Sequence, residues 1–312
     1  MGERPSVGFA DRLAALVEER RSQIVLGLAP DPSALWPVAV EAGAAPSAEG
    51  DVAELTAAAV VRHCRAAIDA AGPSCVAVKP QVACFERLGA PGWSALGSVV
   101  DATREAGLLL IADAKRGDVP VTAAAYAQAL VGETPGPYGV VPGLGADAFT
   151  ANPMLGRDAL APLLEAAAAA GAGCFVLVRT SNPGAAEIQD EPAADPLHER
   201  LARMVDELGR SALGEASALS SVGAVTGATR PDLLARLREL MPAAIFLLPG
   251  VGAQGGGVDD LGPAFAPHPA GGLIASSRSI VGAHAQRGGD AAQAAAAAAE
   301  ELRAAAWEAA TG

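Results

Sequence analysis

Eight short aliphatic runs, most of them separated by longer helical patterns, constrain the fold of this chain more than any other feature. The runs have the length and composition of buried parallel strands and lie at residues 24–28, 75–78, 108–112, 146–150, 174–178, 222–225, 244–248 and 272–275. The helical patterns include residues 52–71, 93–106, 122–131, 157–170, 198–214 and 230–241. Strands that alternate with crossover helices form a parallel sheet, and eight such units predict an α/β fold that closes into a single (β/α)8 TIM barrel.

The chain length is compatible with one domain. By length alone 312 residues could form two domains, but α/β barrels reach this size around one continuous core. We predict a single TIM-barrel domain over residues 1–312, with an N-terminal helix within residues 1–22 and a closing Ala-rich helix over residues 290–312, whose Trp307 packs inward.

Charge and cysteine usage disfavour several classes of function. The formal net charge of −13 disfavours nucleic acid or an anionic membrane as a partner, because nothing in the sequence supplies the basic stripe that phosphate groups require. Its N-terminus has no unbroken apolar run of the signal-peptide type, which predicts a cytoplasmic protein. The four cysteines form no CxxC pair or other zinc-type spacing. We predict that they are reduced core side chains and that the protein has no metal site.

The third predicted strand runs directly into a charged cluster. Asp113, Lys115 and Asp118 follow an aliphatic run in the sequence LLIADAKRGD. Because side chains alternate along a strand, Asp113 and Lys115 share one face, and the carboxyl end of a barrel strand is where such enzymes carry their chemistry. A charged triplet after a strand is often only a solvated turn. Here other strand ends place polar groups at the same rim, which favours an active site.

Three further strand ends carry candidate residues, although each has an ordinary structural explanation when taken alone. Lys79 ends the second strand and could be a rim lysine whose stem packs on apolar surface. Asp31 follows the first strand and Ser181 the fifth, and either could serve only in a turn.

The loops after the last two strands predict a phosphate site. Gly252 and Gln254 lie in a glycine-rich segment after the seventh strand, and Ser277 and Arg278 follow the eighth. Glycines let backbone N–H groups approach an anion, and arginine can bind phosphate through two parallel hydrogen bonds.

Long loops on the same face are candidate lids. They are residues 41–50 and 184–196, and residues 255–260 form a further candidate for mobility on ligand binding.

Residues 113–122, DAKRGDVPVT, resemble the signature of the orotidine 5′-phosphate decarboxylase family. Supporting motifs extend over most of the chain and lie at residues 27–31, 79–86, 152–156, 180–183, 252–256 and 276–280. The overall pattern looks most like the longer bacterial subgroup, type 2. The chain departs from it at Ala275, where a polar Asn on the phosphate side is expected.

The resemblance implies a cofactor-free decarboxylation of orotidine 5′-phosphate to UMP in de novo pyrimidine biosynthesis. In this interpretation Lys115 protonates the C6 carbanion, and the remaining catalytic residues are Lys79, Asp113 and Asp118. Substrate would be bound by Asp31, Thr122, Ser181, Gln254, Arg278, Gly252 and Ser277. The resemblance also implies a homodimer with shared active sites, in which Asp118 and Thr122 act on the neighbouring subunit's substrate.

Two alternatives stay open at this point. The first is a metal-dependent sugar-phosphate decarboxylase or aldolase of the same superfamily, which shares the Asp-x-Lys-x-x-Asp run and for which Glu86 offers an extra carboxylate. The second is a non-catalytic barrel that binds UMP.

Overall fold

A closed barrel of eight parallel strands forms the body of the molecule. The computed structural model describes residues 7–41, 51–252 and 256–312. Its strands are β1 (Ile24–Leu28), β2 (Ala77–Pro80), β3 (Leu109–Arg116), β4 (Glu133–Gly136), β5 (Gly139–Pro142), β6 (Ala148–Ala151), β7 (Gly173–Arg179), β8 (Ser220–Thr226), β9 (Ala244–Pro249) and β10 (Gly272–Ser276). The barrel order is β1-β10-β9-β8-β7-β6-β3-β2, with β1 also pairing with β2. The predicted α/β barrel is therefore confirmed.

Helices connect the barrel strands and surround them. They are α1 (Phe9–Arg20), α2 (Pro37–Glu41), α3 (Val52–Ala71), α4 (Val82–Glu86), α5 (Gly89–Glu105), α6 (Pro120–Leu130), α7 (Arg157–Ala170), α8 (Ala185–Gln189), α9 (Leu197–Gly209), α10 (Pro231–Leu240), α11 (Gly262–Phe265), α12 (Arg278–Val281), α13 (His284–Arg287) and α14 (Ala291–Thr311). Short 3₁₀ helices lie at Gly72–Ser74, Asp259–Leu261 and Pro269–Gly271. Among the helices so described, none is long and apolar enough to cross a membrane.

A pair of strands outside the barrel was not predicted by the sequence analysis. Strands β4 and β5 form an antiparallel hairpin outside the barrel, and every residue of both strands is exposed. Their sequences, ETPG and GVVP, contain the Gly and Pro residues that mark loops, and neither strand has a buried face to produce an alternating pattern. Exposure, rather than a misread motif, therefore explains the miss.

Helix α1 closes the N-terminal end of the barrel. Its side chains Phe9 and Leu13 are buried against residues from the interior of the barrel, and the Phe9 ring meets Phe175 of β7 edge-on at 5.9 Å. Arg12 on the same helix donates to the carboxylate of Asp147, which directly precedes β6. As predicted, Trp307 of α14 packs inward, and it does so against this cluster. The carboxyl end of the barrel is left as the open end.

The same N-terminal end holds a buried cation. Arg238, in the last turn of α10, is 9% exposed, and its guanidinium lies 3.9 Å from the centre of the Phe246 ring. Its five N–H groups donate to carbonyl oxygens of the residues Met241, Pro242, Ala244, Pro263, Ala264 and Gly271. Met241, Pro242 and Ala244 lie between the end of α10 and the first residue of β9, Pro263 and Ala264 lie in α11, and Gly271 directly precedes β10. Arg238 therefore joins the starts of two strands and α11 to α10.

The four cysteines are free thiols. Cys64, Cys75 and Cys174 are buried, as predicted for core side chains, whereas Cys84 is only half-buried on α4.

Candidate active site

Asp113 is the centre of a charged cluster at the carboxyl end of the barrel. It is 8% exposed on β3. The ammonium group of Lys79, from β2, donates to Oδ2 of Asp113, and that of Lys115 donates to Oδ1 at 2.5 Å. The hydroxyl of Thr150, from β6, also donates to Oδ1, at 3.0 Å. Three neighbouring strands thus bring two cations and a neutral donor onto one carboxylate.

The two lysines set the charge state of this carboxylate. Burial disfavours the ionised form of Asp113, but attraction to Lys79 and Lys115 outweighs it and lowers the Asp113 pKa to about 2. Asp113 is consequently an anion at neutral pH. With one negative and two positive charges, the cluster carries a surplus positive charge in a strongly acidic chain.

Lys115 has an unusual backbone. Its φ is +49°, in the left-handed region, and the pairing of β3 with β6 shifts register between Ala112 and Arg116. The N–H of Lys115 donates to the Thr150 hydroxyl oxygen at 2.9 Å. Simple alternation correctly predicted that Asp113 and Lys115 face the same cavity, but it did not predict this irregularity. Left-handed backbone at a non-glycine residue is costly and is concentrated at functional sites.

A cavity of about 320 Å³ opens beside the cluster. One wall is polar and includes Lys79, Asp113, Lys115 and Thr150. The end of β7 adds Thr180, Ser181 and Asn182, and the remaining wall is formed by the side chains of Leu177, Val225, Leu247, Pro249 and Ala275. The cavity can therefore hold a flat, partly apolar ring with its polar edges toward Ser181 and the lysines.

A second, smaller cavity of about 180 Å³ adjoins the first. It lies between the ends of β1, β9 and β10 and is lined by Ser277 and Arg278. Lys79 and Ala275 line both cavities. Arg278 is exposed and has no carboxylate partner within residues 7–41, 51–252 and 256–312. The smaller cavity therefore offers an uncommitted guanidinium to an anion.

Gly250 and Val251, which lead into the glycine-rich segment after β9, line the smaller cavity. Gly252 has φ +74°, and a side chain there would meet the hydroxyl of Ser279 at 3.2 Å, so the position is restricted to glycine by both backbone and space. Gln254 lies outside the described residues, and its predicted contact with phosphate stays a prediction.

Besides Gly252, three predicted site residues in the described part of the chain line neither cavity. Asp31 lies in a turn, where its Oδ1 accepts from the N–H (3.1 Å) and hydroxyl (2.9 Å) of Ser33, and these bonds lower its pKa. Asp118 Oδ1 accepts from the N–H of Val119 at 2.7 Å, and no cation in the described part of the chain pairs with it. Thr122 is half-buried in the first turn of α6. Their predicted roles stay predictions.

Two residues at the cluster were not singled out from the sequence. Thr150 is the one polar residue of β6, Ala-Phe-Thr-Ala, near the carboxyl end of that strand. Gln81 directly follows Lys79-Pro80. Its side-chain amide is assigned with the nitrogen, rather than the oxygen, toward the carboxylate, because in that orientation the nitrogen donates to Oδ2 of Asp113 at 2.7 Å. Both carry the signal that identified Lys79, a polar side chain where an aliphatic strand ends.

The loop after β7 is attached to the barrel. The guanidinium of Arg179 binds both carboxylate oxygens of Asp190, at 2.8 and 3.0 Å, and the N–H of Thr180 donates to the side chain of Gln189 at 2.8 Å. These contacts hold the middle of the predicted lid, residues 184–196, against the strand end that carries Ser181. Residues 42–50 and 255, from the other two candidate loops, lie outside the described residues.

Comparisons of the sequence with a family model and with known proteins indicate the same family. Residues 51–298 match the model of the Orotidine 5′-phosphate decarboxylase / HUMPS family. The chain is 44% identical over 232 residues to Orotidine 5′-phosphate decarboxylase of Rhodopirellula baltica, covering 73% of this chain and 74% of the relative. It is 37% identical over 300 residues to the protein of that name from Roseiflexus castenholzii, covering 95% and 96%.

A solved structure agrees with these sequence relatives. The structure of Leishmania donovani OMP decarboxylase superposes with a TM-score of 0.70 at 31% identity, covering 96% of this chain and 99% of that one. Sequence motifs, barrel topology and these matches lead to one conclusion: the chain belongs to the orotidine 5′-phosphate decarboxylase / HUMPS family.

Proposed function

We propose that this protein is a carboxy-lyase that converts orotidine 5′-phosphate to UMP, without a metal or organic cofactor, in pyrimidine biosynthesis. The observation that carries the proposal is the buried Asp113 carboxylate held between Lys79 and Lys115 at the wall of a cavity. The family match and the relatives named for this activity support the same substrate.

The two adjoining cavities fit the two ends of this substrate. The larger has apolar walls and the Ser181 side chain, which suit a pyrimidine ring. The smaller has Arg278 and Ser277, which suit a phosphate. Lys79 lines both and would lie near the ribose that joins the two groups. Ala275, which replaces an expected Asn, lies where the cavities meet, so its effect is not confined to the phosphate side.

The charge cluster can promote loss of carbon dioxide. A substrate carboxylate placed about 4 Å from the Asp113 carboxylate is repelled by ~4 kcal/mol at an effective dielectric near 20. Breaking the bond between C6 and the carboxylate carbon removes that repulsion and leaves the electron pair on C6. The Lys115 ammonium is already beside Asp113, so positive charge is in place where negative charge develops.

Lys115 then delivers the proton that completes the product. Its Nζ–H bond breaks as the C6–H bond forms, and the resulting neutral amine takes a proton from water. The Lys115 side chain is 40% exposed, which allows this return. Because binding of the distant phosphate offsets the ground-state repulsion, a substrate without phosphate should lose turnover rate as well as affinity.

The direct test is loss of orotidylate absorbance on addition of purified protein in EDTA. We expect turnover with EDTA present, and Lys115→Ala to lower kcat by a factor on the order of 10²–10⁴, the usual contribution of a general acid, while UMP still binds. Arg157→Ala, at an exposed ion pair on α7, is the matched control and should retain full activity. An active Lys115→Ala variant would refute the proton-donor role.

The same assay separates the alternatives. A metal-dependent sugar-phosphate enzyme would ignore orotidylate, and its own turnover would stop in EDTA. The extra carboxylate available to such an enzyme, Glu86, is engaged in an ion pair with Arg116. A non-catalytic UMP-binding barrel would bind UMP without any loss of orotidylate absorbance.

We also infer that the active unit is a homodimer in which Asp118 and Thr122 complete the partner's site. The neighbours of Asp118 support this inference, because Val119 and Val121 are 53% and 85% exposed. Met154, two residues after Asn152, is 65% exposed. The Asn152 N–H donates to the Arg116 carbonyl at 2.8 Å, so this segment is bonded to the one that leads to Asp118. Exposed apolar side chains therefore lie near Asp118 in the chain and on the segment bonded to Arg116, as expected of a surface that a second copy covers.

Subunit mixing tests the shared site. Lys115→Ala and Asp118→Ala proteins, each inactive alone, should regain about a quarter of wild-type activity after exchange. Half of the dimers are then mixed, and each mixed dimer has one intact site. No recovery of activity despite verified subunit exchange would contradict the arrangement.

The cytoplasmic location stays a prediction.

A further inference from the structure

The Asp113 carboxylate accepts hydrogen bonds from four side chains, and only two of them are charged. Oδ1 is bound by Lys115 and by the hydroxyl of Thr150, and Oδ2 by Lys79 and by the amide of Gln81. Each oxygen thus has one cationic and one neutral donor. The neutral pair comes from different elements, β6 and the residue after β2, so the carboxylate is held from two directions.

Thr150 connects the two groups of the proposed chemistry. Its side chain is buried (1% exposed), and its hydroxyl uses both of its hydrogen-bonding roles at the site. It donates to Asp113 Oδ1 at 3.0 Å and accepts from the main-chain N–H of Lys115 at 2.9 Å. Because Lys115 has φ +49° beside a break in the β3–β6 register, its N–H has left the regular ladder. The hydroxyl takes up this N–H and fixes the lysine's backbone next to its carboxylate partner.

Gln81 holds the other side of Asp113. Its amide nitrogen donates to Oδ2 at 2.7 Å and to the main-chain carbonyl of Asp113 at 3.1 Å. The main chains of the two residues also form an isolated bridge. Gln81 therefore fixes both the rotation of the Asp113 carboxylate and the position of the Asp113 main chain relative to β2.

We propose that Thr150 and Gln81 are positioning residues of the decarboxylation site, which keep Asp113 and Lys115 in register while the charge on Lys115 changes. The proposal rests on the proposed function and deepens it. When Lys115 gives up its proton, Asp113 loses one of its two cationic partners. Neutral donors do not change charge in this step, so they can keep the carboxylate in place until the lysine is protonated again.

A positioning role predicts a larger effect on turnover than on binding. We expect Thr150→Val, which keeps the shape but removes the hydroxyl, to lower kcat by about tenfold or more, with KM changed by less than about threefold. Thr150→Ser should restore most of kcat because it returns the hydroxyl. Thr56→Val, at a helix position where the hydroxyl bonds only its own α3 backbone, is the matched control and should behave as wild type.

Gln81→Met provides a second, independent variant. It removes the donor with little change in side-chain length, and we expect it too to lower kcat with little change in KM. Gln286→Met, on exposed α13, is its control. Because Gln81 is only half-buried, whereas Thr150 is 1% exposed, this variant keeps the proposal testable even if Thr150→Val folds poorly.

A readout independent of turnover separates this proposal from the proposed function. The Asp113 titration, followed by carbon-13 NMR of its carboxyl group, should move to higher pH in Thr150→Val and Gln81→Met and return in Thr150→Ser. If wild-type protein leaves orotidylate unchanged, the proposed function fails, whatever the titrations show. If wild-type protein is active, and both variants keep the wild-type kcat, with or without a change in KM, the positioning role is overturned.

Discussion

The barrel holds a buried charge at each end, and the two are satisfied in opposite ways. At the N-terminal end, the Arg238 cation is surrounded by backbone carbonyl oxygens and the Phe246 ring. Burial lowers its pKa to about 10, so it stays charged at neutral pH. At the open end, the Asp113 anion faces two lysines and lines a cavity.

The difference distinguishes a charge that supports the fold from one that supports chemistry. Arg238 donates all of its hydrogen bonds to the starts of strands and a neighbouring helix, and none of them needs an external partner. The Asp113 cluster has more positive than negative charge, and the surplus faces open space. The positive charge of a site that binds an anion is not fully neutralised by its own chain, whereas a structural charge such as Arg238 has all of its partners within the chain.

The largest effect should come from breaking the closed end. Arg238→Met removes every donor to its carbonyl oxygens and leaves several of them buried without a partner, at about 1–3 kcal/mol each. We expect the free energy of unfolding in urea to fall by about 3 kcal/mol or more, while kcat of the folded fraction is unchanged. Arg236→Met, on the same helix but exposed, should change little. If Arg238→Met is as stable as that control, the cation is not structural.

A smaller effect on stability is expected in acid, where protonation of Asp113 removes the ion pairs at the open end. The folded-state pKa of Asp113 is about 2, below its ordinary 3.8, so its ionisation contributes stability above pH 4 that disappears as pH falls toward 2. The contribution is about 2 kcal/mol. The difference in unfolding free energy between wild type and Asp113→Asn should therefore shrink over this range. Buried His63, whose pKa is lowered to about 4, destabilises both proteins equally in acid. Parallel stability curves would contradict the ion-pair account.

The smallest effect should come from the backbone of the lysine at the open end. Lys115 has φ +49°, a conformation that costs an L-residue about 1 kcal/mol or more and costs glycine nothing. We expect Lys115→Gly to be more stable than Lys115→Ala by about 1 kcal/mol, although neither should turn over substrate. At Arg116, which continues the strand, the order should reverse, with alanine the more stable. If the glycine and alanine variants were equally stable at both positions, the backbone of Lys115 would not be strained.

The sequence predicted the parts of the molecule that are regular. Buried parallel strands leave aliphatic runs, and charges at their carboxyl ends, such as Lys79 and Asp113, are conspicuous because that environment is otherwise apolar. The β4–β5 hairpin left no such pattern because both of its strands are exposed.

The geometry between elements could not be predicted in this way. The left-handed backbone at Lys115 follows from a break in the pairing of β3 with β6, which involves residues far apart in the sequence. Thr150 and Gln81 were visible as polar residues at strand ends, but their convergence on one carboxylate depends on how three strands align. Asp118 is a conspicuous motif residue, yet within one chain it does not meet Lys115.

The position of Lys79 on both cavities has a thermodynamic consequence. Two separate anionic fragments, the nucleoside orotidine with its carboxylate and a small phosphate, would share a single ammonium group as counter-ion. Their binding free energies would then not add, because the first fragment to bind changes the electrostatic field that the second one meets. A whole nucleotide would be recognised through that coupling, so the measured cooperativity between fragments would report how strongly binding in one cavity affects binding in the other.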